Sequence, residues 1–529
     1  MSYAEPTRIG PLMNLKPHYS GCLTQIKALL QEKIAELLQM KNGIMTRMAS
    51  SWVIGLAFAI GNVGVIAADG AAAAPKPYAG WINEWLREQS QSWNAWDIGV
   101  QNRVRQEFKL GAGVAPATDF RRYNVDNRNI YFLYRVRPHV GYSANGIGFY
   151  LEGRHSGSID DDRGPRNPEA DPMDIHQAYI TLGNTKDLPL SLKLGRQELS
   201  YGEERLVGAF AWNNIGRVFD AAKITLRQEN FSVDAFTSML TVVDQHNLNY
   251  PNPDDWFSGV YATTKFVPKN TLDLYFLSRN AGRQSYTAAN SLVPLPSPRD
   301  IYTAGIRLKS LPGQFGNWDY SIEVMGQWGH FNDPLLPAGA RSLRHEAYAL
   351  VCQGGYTFKE AAFTPRIGLE YSAATGDGNP NDGKHGTFEN LFPTNHKFYG
   401  YMDMVSLQNI HNLRATISMN PVKRFKFSLD WHAFWLADSS DHFYNAAGAR
   451  RAATLAPTPG TGYGINPNYS SYVGSELDLV ATYTVHPAAV VEAGYGHFFR
   501  GSYIRQTFSA AGHGSRDADY VYLQFALNF

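Results

Sequence analysis

Residues 517–529 read DADYVYLQFALNF, and the order of side chains in that stretch decides what kind of wall the chain builds. In an extended strand successive side chains point to opposite faces. Val521, Leu523, Phe525, Leu527 and Phe529 therefore share one apolar face, and Tyr520, Tyr522, Gln524, Ala526 and Asn528 share a more polar one. The half-buried edge strand of a soluble sheet reads the same way. The rest of the chain has to separate the two.

With 529 residues the chain is long enough for several soluble domains or for one membrane barrel. Hydrophobic residues make up 44% and mean hydropathy is −0.31, which excludes a multi-span helical membrane protein, since each span needs roughly 20 apolar residues in a row. Thirty Tyr, 28 Phe and 11 Trp suit aromatic girdles at two membrane interfaces, sugar binding, or an all-β protein. A formal net charge of +1 predicts no nucleic-acid partner, so any selection by charge must be local. Of the two cysteines, Cys22 and Cys352, only the second survives removal of an N-terminal segment, so no disulfide framework is expected. The sequence HYSGC ending at Cys22 has no apolar run before it and is not read as a lipoprotein box.

Residues 45–68, MTRMASSWVIGLAFAIGNVGVIAA, place Arg47 ahead of an apolar run from Trp52 to Ile66, followed by Ala67 and Ala68. That is the order of a secretory signal peptide, and nothing after it resembles a stop-transfer segment. The protein is expected to leave the cytoplasm. Upstream, Leu23, Ile26, Leu29, Leu30, Ile34, Leu37 and Leu38 recur at helical spacing. Because a signal so deep in a chain is unusual, residues 1–44 are expected to be a non-native extension, with translation starting at Met45 or Met48. Residues 69–95 are then a short periplasmic segment.

From Trp96 onward, segments of about ten residues with period two recur to the end. WDIGVQNRVRQEF sets Ile98, Val100 and Val104 opposite Gln101, Arg103 and Arg105, and IYFLYRVRPHV sets Ile130, Phe132, Tyr134 and Val136 opposite Arg135 and Arg137. TLDLYFLS, IYTAGIRLKS, DYSIEVMGQW, TPRIGLEY, FKFSLDWHAFW and ELDLVATYTV repeat the device. The connections alternate as well. Tight ones carry turn residues at Ala144, Lys186, 228–230, 267–270, 420–424 and 485–488, and long polar ones run over 156–173, 200–216, 239–254, 280–299, 331–344, 374–403, 437–473 and 500–518. Short periplasmic turns alternating with long extracellular loops are the signature of a bacterial outer-membrane barrel. The predicted fold is an all-β, transmembrane antiparallel β-barrel of about 18 strands over residues 96–529, in a Gram-negative-type outer membrane. The final strand then closes the wall against the first, because a spanning sheet can leave no edge unpaired.

LGRQELSYGEERLVG (194–208), GRVFDAAKI (216–224), LFPTNHKFYGYMD (391–403) and GSELDLVATYTVHPAAVVEAGYGHFFRGSY (474–503), with QNRVRQEF (101–108) in the first strand, resemble the alginate export family of outer-membrane barrels. The resemblance covers essentially the whole mature chain. It implies a channel passing an alginate-like polyuronate from periplasm to exterior. It also implies a terminal Phe529 read by the outer-membrane assembly machinery, contact with membrane lipid and lipopolysaccharide, and a role for periplasmic export proteins. For PTNHKFYGYMD it implies a loop folded inward to narrow or gate the pore, with His396 and Asp403 as polar anchors. Read on its residues alone, the same stretch fits equally an external loop packed by Phe398, Tyr399 and Tyr401.

A polyuronate path needs fixed cations, because a partly dehydrated carboxylate must gain opposite charge or hydrogen bonds. Arginine offers a planar two-pronged donor for it. By parity Arg103, Arg105, Arg135, Arg137, Arg154, Lys193, Arg307, Arg366 and Arg414 lie opposite an apolar face. Arg196 sits on the apolar parity of Leu190, Leu192 and Leu194, so counting it with the lumen set requires a bulge or the end of the membrane zone. Glu107, Glu152, Glu323, Glu370, Asp430, Asp478 and Glu492 share the inward parity. The lumen is therefore expected to be mixed, and the arginines serve either as a carboxylate ladder or as packing against these acids.

GDGNPNDG (376–383) offers Asp377, Asn379, Asn381 and Asp382 as weak calcium ligands, but its spacing misses the EF-hand pattern and a solvated turn explains it as well. No other cofactor is indicated. The acidic run around Asp160 to Asp162 reads as a surface loop. The chain has no G-x-S-x-G, H-E-x-x-H or phosphate-loop motif, so an enzyme is not expected. Three function classes remain open: an export conduit for an anionic polysaccharide, a general or oligosaccharide-uptake porin, and a surface barrel with enzymatic or adhesive activity. A monomer is the default.

Overall fold

The computed structural model describes residues 80–112, 119–120, 127–163, 169–183, 189–282, 297–333, 336, 342–451 and 463–529. The expected extension (1–44), the signal segment (45–68) and residues 69–79 lie outside them. The described chain opens with helix α1 (Trp81–Gln89) and a short 3-10 turn (Gln91–Ala95). Strands follow: β1 (Trp96–Leu110), β2 (Arg128–Ala144), β3 (Ile147–Ile159), β4 (Asp171–Leu182), β5 (Leu190–Gln197), β6 (Phe219–Arg227), β7 (Phe231–Val242), β8 (Tyr250–Thr264) and β9 (Asn270–Ala281). The second half holds β10 (Arg299–Ser310), β11 (Trp318–Asn332), β12 (Ser342–Thr357), β13 (Arg366–Ala374), the two-residue β14 (Lys384–His385), β15 (Ile410–Val422), β16 (Phe425–Leu436), β17 (Tyr472–His486), β18 (Ala489–Arg500), helix α2 (Ser502–Ala510) and β19 (Ala518–Asn528).

Eighteen long strands pair antiparallel with their neighbours, and β1 pairs with both β2 and β19, so the sheet is closed. β14 is apart from this wall and lies parallel to β12. The period-two reading explains the inversion of the usual soluble pattern. On β13, Ile367, Leu369 and Tyr371 are exposed on the outside, while Glu370 and Ser372, alternating with them, are buried inside. Apolar side chains facing out and polar ones facing in are stable only against lipid. Among the described residues no helix is long and apolar enough to cross a membrane. At the short-turn end Trp96 packs on Tyr142 and Phe149, and Trp318 on Tyr356. Towards the other end Phe276, Tyr302 and Trp328 form a second cluster, completing two aromatic zones.

The β2–β3 turn shows how sequence sets register. Asn145 (φ 53°) and Gly146 (φ 78°) both take the left-handed backbone that a tight two-residue hairpin requires, which Asn and Gly accept at least cost. Two further short turns, 311–317 and 358–365, and a long outer connection at 111–127 join those expected from sequence. At the closing seam, Phe529 donates its N–H to the Val100 carbonyl at 3.0 Å. Helix α1 docks there through Asn83, which donates to Asp97 and accepts from the Ile98 N–H, both at 2.8 Å.

Candidate functional site

The lumen is built around two long connections that fold inward, residues 198–218 between β5 and β6 and residues 375–409 between β13 and β15. The first is shaped by Asn213, whose side-chain oxygen accepts the N–H groups of Ile215 (2.8 Å) and Gly216 (3.1 Å). This turn aims a row of carbonyls at the wall. Gly216 is required twice over: its φ is +82°, and a Cβ would stand 2.9 Å from Arg137 Nη2.

The wall meets those carbonyls with arginines. Arg103 donates to the Ala211 (2.8 Å) and Asn213 (3.1 Å) oxygens, and Arg135 to the same two at 3.2 Å each. Arg137 and Arg154 both donate to the Ile215 oxygen, at 2.8 and 3.2 Å, and Arg105 donates to the Trp212 oxygen at 2.9 Å. Asn214 completes the anchor by donating to the carbonyls of Tyr134, Gly157 and Glu169. Arg105, Arg137 and Arg154 also have acidic neighbours, in Glu107, Glu152 and Asp171 respectively. Among the described residues, Arg103 and Arg135 form no ion pair and rest on neutral acceptors. The Nε–H groups of Arg103, Arg135, Arg137 and Arg154 are buried and donate to nothing.

The second loop is held by carboxylates. Its own Glu389 accepts from Arg279 (2.9 Å) and Arg299 (2.6 Å). Burial pushes that carboxyl up, but the two guanidinium groups outweigh it and hold it below the usual range. Further along, the inward acids Glu476 and Asp478 of β17 accept the N–H groups of Met402 (2.8 Å) and Tyr401 (3.3 Å). The two loops are joined to each other as a short parallel pair. Phe392 N–H donates to the Leu206 oxygen, Gly208 N–H to the Phe392 oxygen, and Thr394 N–H to the Glu204 oxygen, each at 2.9 Å. Arg205 ties this pair to the wall through two 2.8 Å bonds to Glu370.

Where the loops meet, Trp212 stacks on His396 at 3.8 Å between ring centroids, with Tyr401 and Tyr522 edge-on to it and the Arg105 guanidinium 3.8 Å from its ring. His396 Nδ1 and Asp403 Oδ2 are 3.0 Å apart, so the two expected anchors are brought together inside the barrel. The rest of the basic set is dispersed. Arg307 pairs with Asp273, Arg366 with Asp319, and Arg414 with Asp430, whereas Lys193 lies over the Tyr179 ring at 3.7 Å. Arg196 does not belong to the lumen set. It keeps the outward parity of exposed Leu190 and bonds Asp220, the Asn249 carbonyl and the Ile175 carbonyl at the outer end of its strand; no bulge turns it inward.

In the 376–383 stretch, Asp377, Asn379 and Asp382 each accept a backbone N–H two residues on. This is a run of side-chain-capped turns, and no group of three or more His, Cys, Asp and Glu among the described residues could hold a metal ion. Trp212, Asn214, Arg205 and Glu389 were not singled out by sequence. For Arg205 and Trp212 the signal was the composition of 205–212, RLVGAFAW, too apolar for an external loop; Asn214 and Glu389 carried none.

The sequence matches the alginate export family over residues 95–516. Comparison with curated protein sequences gives no match. The fold is similar to solved porin-type structures from Pseudomonas aeruginosa and Acinetobacter baumannii. OpdK of P. aeruginosa aligns at 10% identity and TM-score 0.51, covering 82% of this chain and 98% of its own; a second structure of it, with vanillate, aligns at 12% and 0.50 over the same shares. OccAB1 of A. baumannii aligns at 11% and 0.50, covering 82% of this chain and 97% of its own. At that identity the likeness speaks for the barrel and not for a ligand. Barrel, lipid-facing exterior and family match together make the protein an outer-membrane channel, and the chain belongs to the alginate export family.

Proposed function

We propose that the barrel is a gated conduit for an anionic, alginate-like polyuronate moving from periplasm to exterior, with the two inward loops as its gate. The carrying observation is the state of the wall arginines. Arg103 and Arg135 hold only neutral carbonyl oxygens, and four buried Nε–H donors in the same patch have no acceptor. A hydrogen bond to a carboxylate is about twice as strong as one to a carbonyl. A uronate can therefore displace residues 209–217 from the patch and take over their bonds, which couples substrate arrival to loop withdrawal. Phe529 would be the assembly signal, periplasmic export proteins would deliver the polymer, and the barrel would act as a channel with no enzymatic step.

The balanced pairs Arg307–Asp273, Arg366–Asp319 and Arg414–Asp430 favour a second reading, an oligosaccharide-uptake porin with little preference for charge. Single-channel recording with oligouronate or neutral oligosaccharide separates the two. The conduit reading expects anion preference and block by oligouronate that Arg103→Ala, Arg135→Ala relieves. Weak selectivity with equal block by both sugars overturns it in favour of the porin.

A further inference from the structure

The outward face of β8 to β11 changes character row by row towards the outer end, because residues paired in register stand side by side across the strands. Val260, Phe276, Ala304 and Gly326 form an apolar row. Next come Ser258, Ser278, Tyr302 and Trp328, and then a polar row of Trp256, Asn280, Asp300 and His330. Above it the rim ends in Asp254, Gly282, Pro298 and Asn332, where the Gly282 N–H donates to the Asp254 carbonyl at 2.6 Å and the Asn332 N–H to the Pro298 carbonyl at 2.9 Å. These last two rows border a pocket of about 420 Å³. Trp256, Asp300 and His330 share the exposed, outward parity of Val260 and Trp328, so the pocket opens on the outside of the barrel and not into the lumen.

The pocket holds one tryptophan with an open ring. Trp256 Nε1 donates to the Pro253 carbonyl at 2.9 Å, which fixes the indole, yet the residue is 43% exposed and among the described residues no second ring and no cation lies on it. Hydrogen-bonding groups stand beside it. Ser278 Oγ donates to Asn280 Oδ1 and Asn280 Nδ2 donates to Asp300 Oδ1, both at 2.7 Å, so that chain orients the Asp300 carboxylate. The His330 ring is exposed and has no partner among the described residues. The charge here is wrong for an anion: Asp254 and Asp300 supply carboxylates, while Arg299, which also borders the pocket, turns its guanidinium inward to Glu389 at 2.6 Å.

We propose that this pocket holds an uncharged sugar ring from the headgroup of the outer-leaflet glycolipid, lipopolysaccharide, with Trp256 against the apolar C–H face of the ring and Asn280, Asp300 and His330 on its hydroxyls. Tryptophan offers a large flat apolar body with a polar edge, and it gathers at membrane–water boundaries for that reason. A carboxylate accepts a hydroxyl more strongly than a neutral oxygen does. The volume lies within the range of roughly 300–1,000 Å³ usual for small-molecule sites. Depth identifies the source of the sugar. The rows facing lipid lead directly up to the pocket, and exposed Val260, Phe276 and Trp328 offer a track for the acyl chains of a molecule whose sugar is seated above them. A dissolved saccharide would gain nothing from those rows. The inference needs only the barrel's place in the outer membrane and is independent of what the lumen carries.

Native mass spectrometry of the full-length protein in detergent tests this, with truncated-core lipopolysaccharide, the same saccharide freed of its acyl chains, or phosphatidylglycerol added in turn. The wild type should retain lipopolysaccharide in preference to the other two. W256A should weaken that retention roughly tenfold, and H330A should weaken it by a smaller factor. F499A removes an exposed outward ring from β18, away from β8 to β11, and should leave retention unchanged. Wild-type retention in both W256A and H330A overturns the site, and an equal loss in F499A overturns it by reducing it to general contact with the aromatic belt. If the acyl-free saccharide is held as tightly as lipopolysaccharide, the glycolipid is not the occupant. Equal retention of phosphatidylglycerol overturns sugar recognition. Should W256A fail to fold, H330A decides: unchanged retention of lipopolysaccharide overturns the proposal.

Discussion

Arg205 is buried to 1% exposure and gives both terminal nitrogens to Glu370, with the Phe398 ring 3.8 Å from its guanidinium. Arg205→Ala leaves the buried Glu370 carboxylate with Arg414, 3.8 Å away, as its remaining counter-charge, at a cost of up to about 3–5 kcal/mol. The expected outcome is detachment of the joined loops with the wall intact, seen as new protease cleavage within 198–218 on a barrel that still resists denaturing detergent. Asp377 makes a second, pH-dependent case. Burial first, and the nearby Asp441 second, push its carboxyl from 3.8 up to about 6. A raised carboxyl supports the folded loop fully below the unfolded value of about 3.9, and that support is lost as pH rises through 6. Protection factors of residues 375–388, which remove the intrinsic rise of amide exchange with pH, should therefore fall on going from about pH 5 to about pH 8, and Asp377→Asn should flatten the dependence. Individual residues were the least legible part of the sequence. Parity put Arg103, Arg135 and Arg137 on the face opposite the apolar one, because a strand allows only two faces. Parity could not say that their partners are backbone carbonyls 76 to 110 residues away.

Strands were legible as elements because period two is written into every one of them, and turns such as Asn145–Gly146 carry their own backbone demand. The direction in which a long loop folds is not local information. Residues 198–218 could be recognised as a connection, yet going inward depends on acceptors and donors supplied by β1, β2 and β3. Irregular strands defeat parity as well. On β4 the register shifts between the partners Glu152 and Gly153, and buried His176 falls next to inward Gln177, which no alternation predicts. For the first inward loop the element-scale prediction concerns Asn214, which donates to the wall carbonyls of Tyr134 and Gly157 and to that of Glu169 in the β3–β4 connection, and accepts from Arg103 at 3.3 Å. Asn214→Ala strands those groups and should weaken attachment of the loop by about 1–3 kcal/mol, measured as increased open-state occupancy in single-channel records.

At the scale of the molecule, closure depends on the seam where β19 meets β1. Gly99 lies against the Phe529 carbonyl oxygen, and a Cβ would also stand 2.7 Å from His139 Cε1. Gly99→Val should thus hinder closure by at least about 1–3 kcal/mol, and a lower yield of the compact, heat-modifiable form on gels would register it. The closed barrel was present in the alternation of strands and turns, and the family in the motifs those strands and loops carry. The occupied lumen was not, because it forms only once distant loops meet. On the proposed gate reading, that meeting also sets how the channel would open in time. The parallel pair at Val207 and Phe392 fastens two loops with separate roots into one body, so neither can swing out alone. The proposed gate should then show two current levels and nothing between them. Gly208→Pro removes the N–H that donates to Phe392 and crowds Thr394, and the record should then show a third, partial level as the halves begin to move independently.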